Sequence, residues 1–86
     1  MSVYGVSRLC RDILHDDRLR ERLVSNAPDV FDEFKLSSDE RSAMLRGDVG
    51  TLYDMGVNPF LLGNLPRFGL FGLTNKIYNS RIRKEA

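Results

Sequence analysis

Apolar residues recur at three- and four-residue steps from the start of the chain. Val3, Val6, Leu9, Cys10, Ile13 and Leu14 form such a series, which predicts a first helix with one buried face. Asp16 or Asp17 reads as the N-cap of a second helix, and Leu19, Leu23 and Val24 keep helical spacing until Asn26-Ala27-Pro28 interrupts it. Val30, Phe31 and Phe34 predict a short apolar turn behind Pro28, a residue suited to the first helical position.

The later starts and stops are sharper. Ser37-Ser38-Asp39-Glu40 fits a capping box, with Ser37 as the cap and Glu40 reaching back to it. Ala43, Met44 and Leu45 follow, and Gly47 supplies a permissive stop. Asp48 caps the next segment, whose apolar face is Val49, Leu52, Tyr53 and Met55, with Gly56 at its end. Asn58-Pro59 pairs a cap with a first-turn proline and opens a helix through Phe60, Leu61, Leu62, Gly63, Asn64 and Leu65. From Pro66 to Gly72 the glycines argue against regular structure, and Thr74 is placed to cap a last helix carrying Ile77, Tyr78 and Ile82. No strand-like alternation of useful length occurs. The expected fold is all-α, a compact bundle of five to six short helices forming a single domain over residues 1–86.

Composition narrows the function. A chain of 86 residues buries a smaller share of its surface than a large domain does, and its one cysteine, Cys10, makes no internal disulfide. No Cys/His cluster offers a structural zinc. Close helix packing or association with a partner is therefore the expected extra source of stability. The net charge of +1 gives no bulk field for nucleic acid. Residues 1–46 interleave eight basic with nine acidic side chains, whereas between Met55 and Asn75 the only charge is Arg67. Residues 76–86 read as a basic C-terminal tail, with Lys76, Arg81, Arg83 and Lys84 against Glu85; a solvated end is favoured there over a nucleic-acid contact. The first twelve residues lack the apolar run of a signal peptide. Prolines and glycines break the longest uncharged stretch, which argues against a membrane span. A reduced, cytoplasmic setting is the expectation.

Candidate chemistry is sparse. Cys10 and His15, the one histidine, lie five apart, about 140° out of register on a helix, so they do not share a face. Asp16/Asp17, Asp32/Glu33 and Asp39/Glu40 are adjacent pairs that diverge by about 100°, which suits helix-start charges better than a convergent acid/base pair. Gly47, Gly50 and Gly56 precede no GK[ST] and make no phosphate loop. No catalytic residue, metal ligand or bound cofactor is expected in this chain.

The unusual stretch is GVNPFLLGNLPRFGLFGL, which carries eight large apolar residues and one charge in eighteen positions. A domain of this size has little interior left once the first four helices are packed, so part of this stretch is expected to face another surface. Phe60, just inside a capped helix with Leu61 beside it, is expected in the core; Phe68 and Phe71 are expected outside it.

The run LSSDERSAMLRGDVGTLYDMGVNPFLLGNL resembles the helical core of the small (alpha) subunit of protocatechuate 4,5-dioxygenase and related class III extradiol ring-cleaving dioxygenases. The resemblance rests on Arg46-Gly47-Asp48, Met55-Gly56 and Asn58-Pro59-Phe60-Leu61, with VSRLCRDILHDDRLRERLVSNAPDVFDEF fitting the upstream helices. It implies a non-catalytic subunit that covers an Fe(II) site held by two histidines and a glutamate of a large catalytic subunit. The substrate would be a catechol-type or aminophenol-type ring. The substrate- or partner-facing role maps onto Arg67, Phe68 and Phe71, with Phe60 and Leu61 supporting them. The other reading is a stand-alone helical interaction or carrier module of the same fold, without a dioxygenase partner.

Overall fold

Side-chain caps set the helix boundaries. In the computed structural model, which describes residues 3–83, the chain runs α1 (Tyr4–Asp12), α2 (Asp17–Ser25), α3 (Ala27–Glu33), α4 (Ser38–Leu45), α5 (Val49–Asp54), α6 (Pro59–Leu62), α7 (Asn64–Arg67), a 3-10 turn (Leu70–Gly72) and α8 (Asn75–Ile82). Five starts expected from sequence are present. Asp16 Oδ1 accepts the Leu19 N–H at 3.0 Å and Asp48 Oδ1 that of Thr51 at 3.2 Å. Asn58 Oδ1 accepts from Phe60 at 2.8 Å and Thr74 Oγ1 from Ile77 at 3.2 Å. The capping box is complete: Ser37 Oγ accepts the Glu40 N–H at 3.2 Å, and Glu40 Oε1 accepts the Ser37 N–H at 2.7 Å.

The stop at Gly47 follows from its backbone. It sits at φ +63°, and the Asp48 N–H reaches the Ala43 carbonyl while the Gly47 N–H reaches that of Met44, which satisfies the carbonyls at the end of α4. Lys35 makes the same turn after α3 at φ 57°, a position where sequence offers no glycine to announce it.

The all-α expectation holds, with eight short α segments rather than five or six among the described residues. The turn behind Pro28 becomes a helix of its own, and the expected Pro59–Leu65 helix divides at Gly63. The smallest extent, 18 Å, accommodates about two helix layers. Their shared core takes Val6, Leu9 and Cys10 from α1 with Ile13 at its C-cap, Leu19 and Leu23 from α2, and Val30 and Phe31 from α3. Ala43, Met44, Val49, Leu52 and Val57 continue it, and Leu62, Leu65, Leu70 and Leu73 close it from the apolar segment.

The C-terminal region, expected as a solvated end, forms α8, whose residues are all exposed or half-buried. Ile77, Tyr78 and Ile82 pack against the core, and the Tyr78 hydroxyl donates to the Pro59 carbonyl at 2.7 Å. Arg81 Nη1 donates to the carbonyls of Arg46 and Gly47, both at 2.9 Å. α8 is anchored by these contacts while Lys76, Arg81 and Arg83 stay exposed; Lys84, Glu85 and Ala86 lie outside the described residues. Among the described residues no helix is long and apolar enough to cross a membrane.

Candidate functional site

Successive residues on a helix point about 100° apart, so a four-residue helix lying on a core turns only part of itself inward. In α6 Leu62 takes the inward position and is fully buried, Leu61 is half-buried, and Phe60 points out with 89% of its surface exposed. The expectation that Phe60 is a core residue is thus overturned by the direction in which this short helix faces. In α7 Leu65 and Pro66 go inward and Arg67 outward. An amide hydrogen bond from Asn64 Nδ2 to the Cys10 carbonyl at 2.8 Å ties α7 to α1.

Beyond α7 the chain turns sharply. Gly69, Phe71 and Gly72 all occupy the left-handed region, at φ 64°, 56° and 73°. For glycine this is free, but for Phe71 it costs roughly 1–2 kcal/mol. The turn is held by Leu70 and Leu73, which are buried, and by the Phe71 ring, 6.2 Å from that of buried Phe31. Phe68 and Phe71 themselves stay half-buried.

Two surface recesses meet along Leu70 and Val24. The larger, about 550 Å³, lies between the α2–α3 junction and the turn, with Leu45, Phe71 and Gly72 on its walls. The smaller, about 310 Å³, is bounded by Asp17, Arg20, Glu21 and Phe68. The Arg20 guanidinium lies over the Phe68 ring at 4.1 Å from its centroid, and that of Arg67 is 5.9 Å away. The structure therefore brings Arg67, Phe68 and Phe71 to one aromatic surface. Phe60 and Leu61 line neither recess.

Val24 and Leu45, 79% and 54% exposed, complete the apolar part of that surface. The sequence pattern groups both with the apolar residues of their helices and does not mark them as exposed. The signal against them was local: Leu19 and Leu23 already form the i, i+4 stripe of α2, so Val24 falls about 100° off it. Leu45, third in the run Ala43-Met44-Leu45, falls off its stripe in the same way. Tyr53 beside buried Leu52 is a further case, 47% exposed.

Among the described residues the titratable groups offer no reactive constellation. Cys10 is fully buried, and that burial pushes its thiol up to about 12, so it stays protonated and inert. His15 is exposed at the α1–α2 corner. Burial, and to a lesser degree the nearby Cys10, holds the Tyr78 phenol above its ordinary value. Burial would raise the Asp48 carboxyl, but Thr51, which donates from both hydroxyl and backbone, and the charges of Arg46 and Arg81 outweigh it and hold Asp48 low. Among the described residues no group of three or more His, Cys, Asp or Glu is disposed to hold a metal.

The family model for the aromatic-ring-opening dioxygenase LigAB, LigA subunit, matches residues 7–83. The chain belongs to this LigA-subunit family. No match was found among curated proteins or among solved structures. The LigA match takes in both recesses, the capped helices from α2 onward, and α8 up to Arg83.

Proposed function

We propose that this chain is the non-catalytic small subunit that caps the Fe(II) site of a class III extradiol dioxygenase, opening a catechol-type or aminophenol-type ring. The observation that carries the reading is the LigA-subunit match over residues 7–83. The aromatic turn at Phe68–Phe71 supplies a surface suited to the role. The described side chains do not fit an Fe(II) site: His15 stands exposed without a second histidine, and the buried Cys10 thiol stays protonated. On this reading the iron is held by a large catalytic subunit in a hetero-oligomer with this chain.

In that assembly this chain's work is physical. Phe68, Phe71, Val24 and Leu45 offer apolar area whose burial drives association and keeps water from the pocket they cover. Arg67 places a cation at the edge of the aromatic surface, where an anionic group of substrate or partner would find it. Phe60, almost wholly exposed, is a second anchor with Leu61 behind it.

The test is co-expression with a ring-opening catalytic subunit, followed by size-exclusion chromatography with light scattering and by spectrophotometric assay of ring cleavage. The two chains are expected to co-elute. This chain alone, with or without Fe(II), is expected to cleave no catechol, and its addition should raise the kcat/KM of the catalytic subunit. Ring cleavage by the purified chain, lost on chelation and restored by iron, would overturn the reading. Failure to co-elute would favour the stand-alone interaction module.

A further inference from the structure

Arg20, half-buried on α2, reaches in two directions. Its Nη1 donates to the Ile13 carbonyl at 2.5 Å, at the C-terminal end of α1, where helix carbonyls lack intrahelical partners and a positive charge is favoured. Held there, the guanidinium lies over the Phe68 ring, 4.1 Å from its centroid. Ile13 is itself fully buried. The Phe68 ring is thus tied to the α1–α2 corner as well as to the end of α7, where the Arg67 guanidinium stands farther off, 5.9 Å from its centroid.

The turn beyond Phe68 has few other outward constraints. A Cβ added at Gly69 or Gly72 would meet nothing within 4 Å, so at these two positions the turn faces open space. Leu70 and Leu73 peg the turn inward. Besides the more distant Arg67, the rings are oriented by Phe68 lying beneath Arg20 and by Phe71 against Phe31.

We infer that Arg20 is a positioning residue for the partner-facing turn: through the Ile13 carbonyl and the Phe68 ring it holds residues 68–71 in the orientation that the catalytic subunit receives. This rests on the assembly reading above. A surface already ordered before contact loses less freedom on binding, and a planar guanidinium both stacks and donates in a way an ammonium does not.

The experiment compares the full chain with Arg20→Gln, Arg20→Lys, Phe68→Leu and the Arg20→Gln/Phe68→Leu double variant, at a temperature where circular dichroism shows all of them folded. The amides read are those of Gly69 and Leu73, bonded to the Pro66 and Leu70 carbonyls, with that of Leu52, bonded to Asp48, as the reference. Arg20→Gln and Phe68→Leu should each speed hydrogen exchange at Gly69 and Leu73 about tenfold, the double variant no further, and Leu52 should be unchanged. Titrated onto the catalytic subunit, Arg20→Gln should bind about tenfold more weakly, and Arg20→Lys should recover only part of that loss. Unchanged exchange at Gly69 and Leu73, equal acceleration at Leu52, or wild-type affinity of a folded Arg20→Gln chain would each overturn the inference. A wild-type chain that does not bind the catalytic subunit overturns the assembly reading and with it Arg20's role in assembly. The exchange rates still decide separately whether Arg20 holds the turn.

Discussion

The chain has five phenylalanines and treats them in two ways. In the region of α1–α5, Phe31 and Phe34 are 1% and 8% exposed and serve the core. In the stretch 58–73 the leucines do that work: Leu62, Leu65, Leu70 and Leu73 are buried, whereas Phe68 and Phe71 are half-buried and Phe60 is 89% exposed. Both regions supply leucines and phenylalanines to the molecule, but they divide the inward positions differently. A short helix or tight turn presents few residues inward, and here the smaller leucines fill those positions. The larger rings remain at the surface, where aromatic side chains contribute most to interfaces.

The largest effect that sharpens this contrast is at Phe31. Phe31→Ala removes a fully packed ring and should cost about 3–5 kcal/mol, a large part of the total stability of a domain this small, as read by urea unfolding. Phe60→Ala should stay within about 0.5 kcal/mol of wild type in the same titration. Equal losses at the two positions would erase the distinction between the regions.

Gly47 lies at the seam between them. A Cβ there would stand 2.9 Å from Arg81 Nη1, 3.1 Å from the Phe71 carbonyl oxygen and 3.2 Å from Leu73 Cδ2, on a backbone at φ +63°. Gly47→Ala should therefore destabilise by about 2 kcal/mol, combining left-handed strain with displacement of the turn and of α8. Thermal melting reads the total, and hydrogen exchange at Leu73 shows whether the turn moves.

What was legible in sequence was chemistry acting over three or four residues. Asp16, Ser37, Asp48, Asn58 and Thr74 announce helix starts because a short polar side chain meets a backbone N–H two or three positions on. The stripe of α1 is legible for the same reason. Phe60 was misread because three apolar residues follow one another in α6, and the pattern does not say which faces in. The docking of α8 was hidden because Arg81 binds carbonyls 34 and 35 positions away. The Arg20–Phe68 stack, which orders the candidate surface, is equally non-local. The resemblance carried by Arg46-Gly47-Asp48 and Asn58-Pro59-Phe60-Leu61 pointed to the family that the match over 7–83 shows, since those residues mark conspicuous helix junctions.

Smaller effects separate local from long-range support. Ser37→Ala removes one arm of the capping box and should cost about 1 kcal/mol in chemical unfolding, without touching the aromatic surface. Asp48 tests the seam by pH. Its folded-state pKa lies below the ordinary value of 3.8, so its contribution is present above that value and is lost as pH falls through the lower folded value. With its side chain 36% exposed, the effect should stay under about 1 kcal/mol. Asp48→Asn should flatten that part of the acid-side decline in melting temperature; an unchanged slope would show that Thr51, Arg46 and Arg81 do not stabilise the carboxylate.

The most direct measurement is calorimetric titration of folded Phe68→Ala and Phe71→Ala chains onto the catalytic subunit, beside wild type. If the aromatic turn is the docking surface, each variant keeps its fold and loses on the order of 2 kcal/mol or more of binding free energy. Wild-type affinity in both folded variants would contradict the account, because the exposed sides of these half-buried rings would then have no partner to meet.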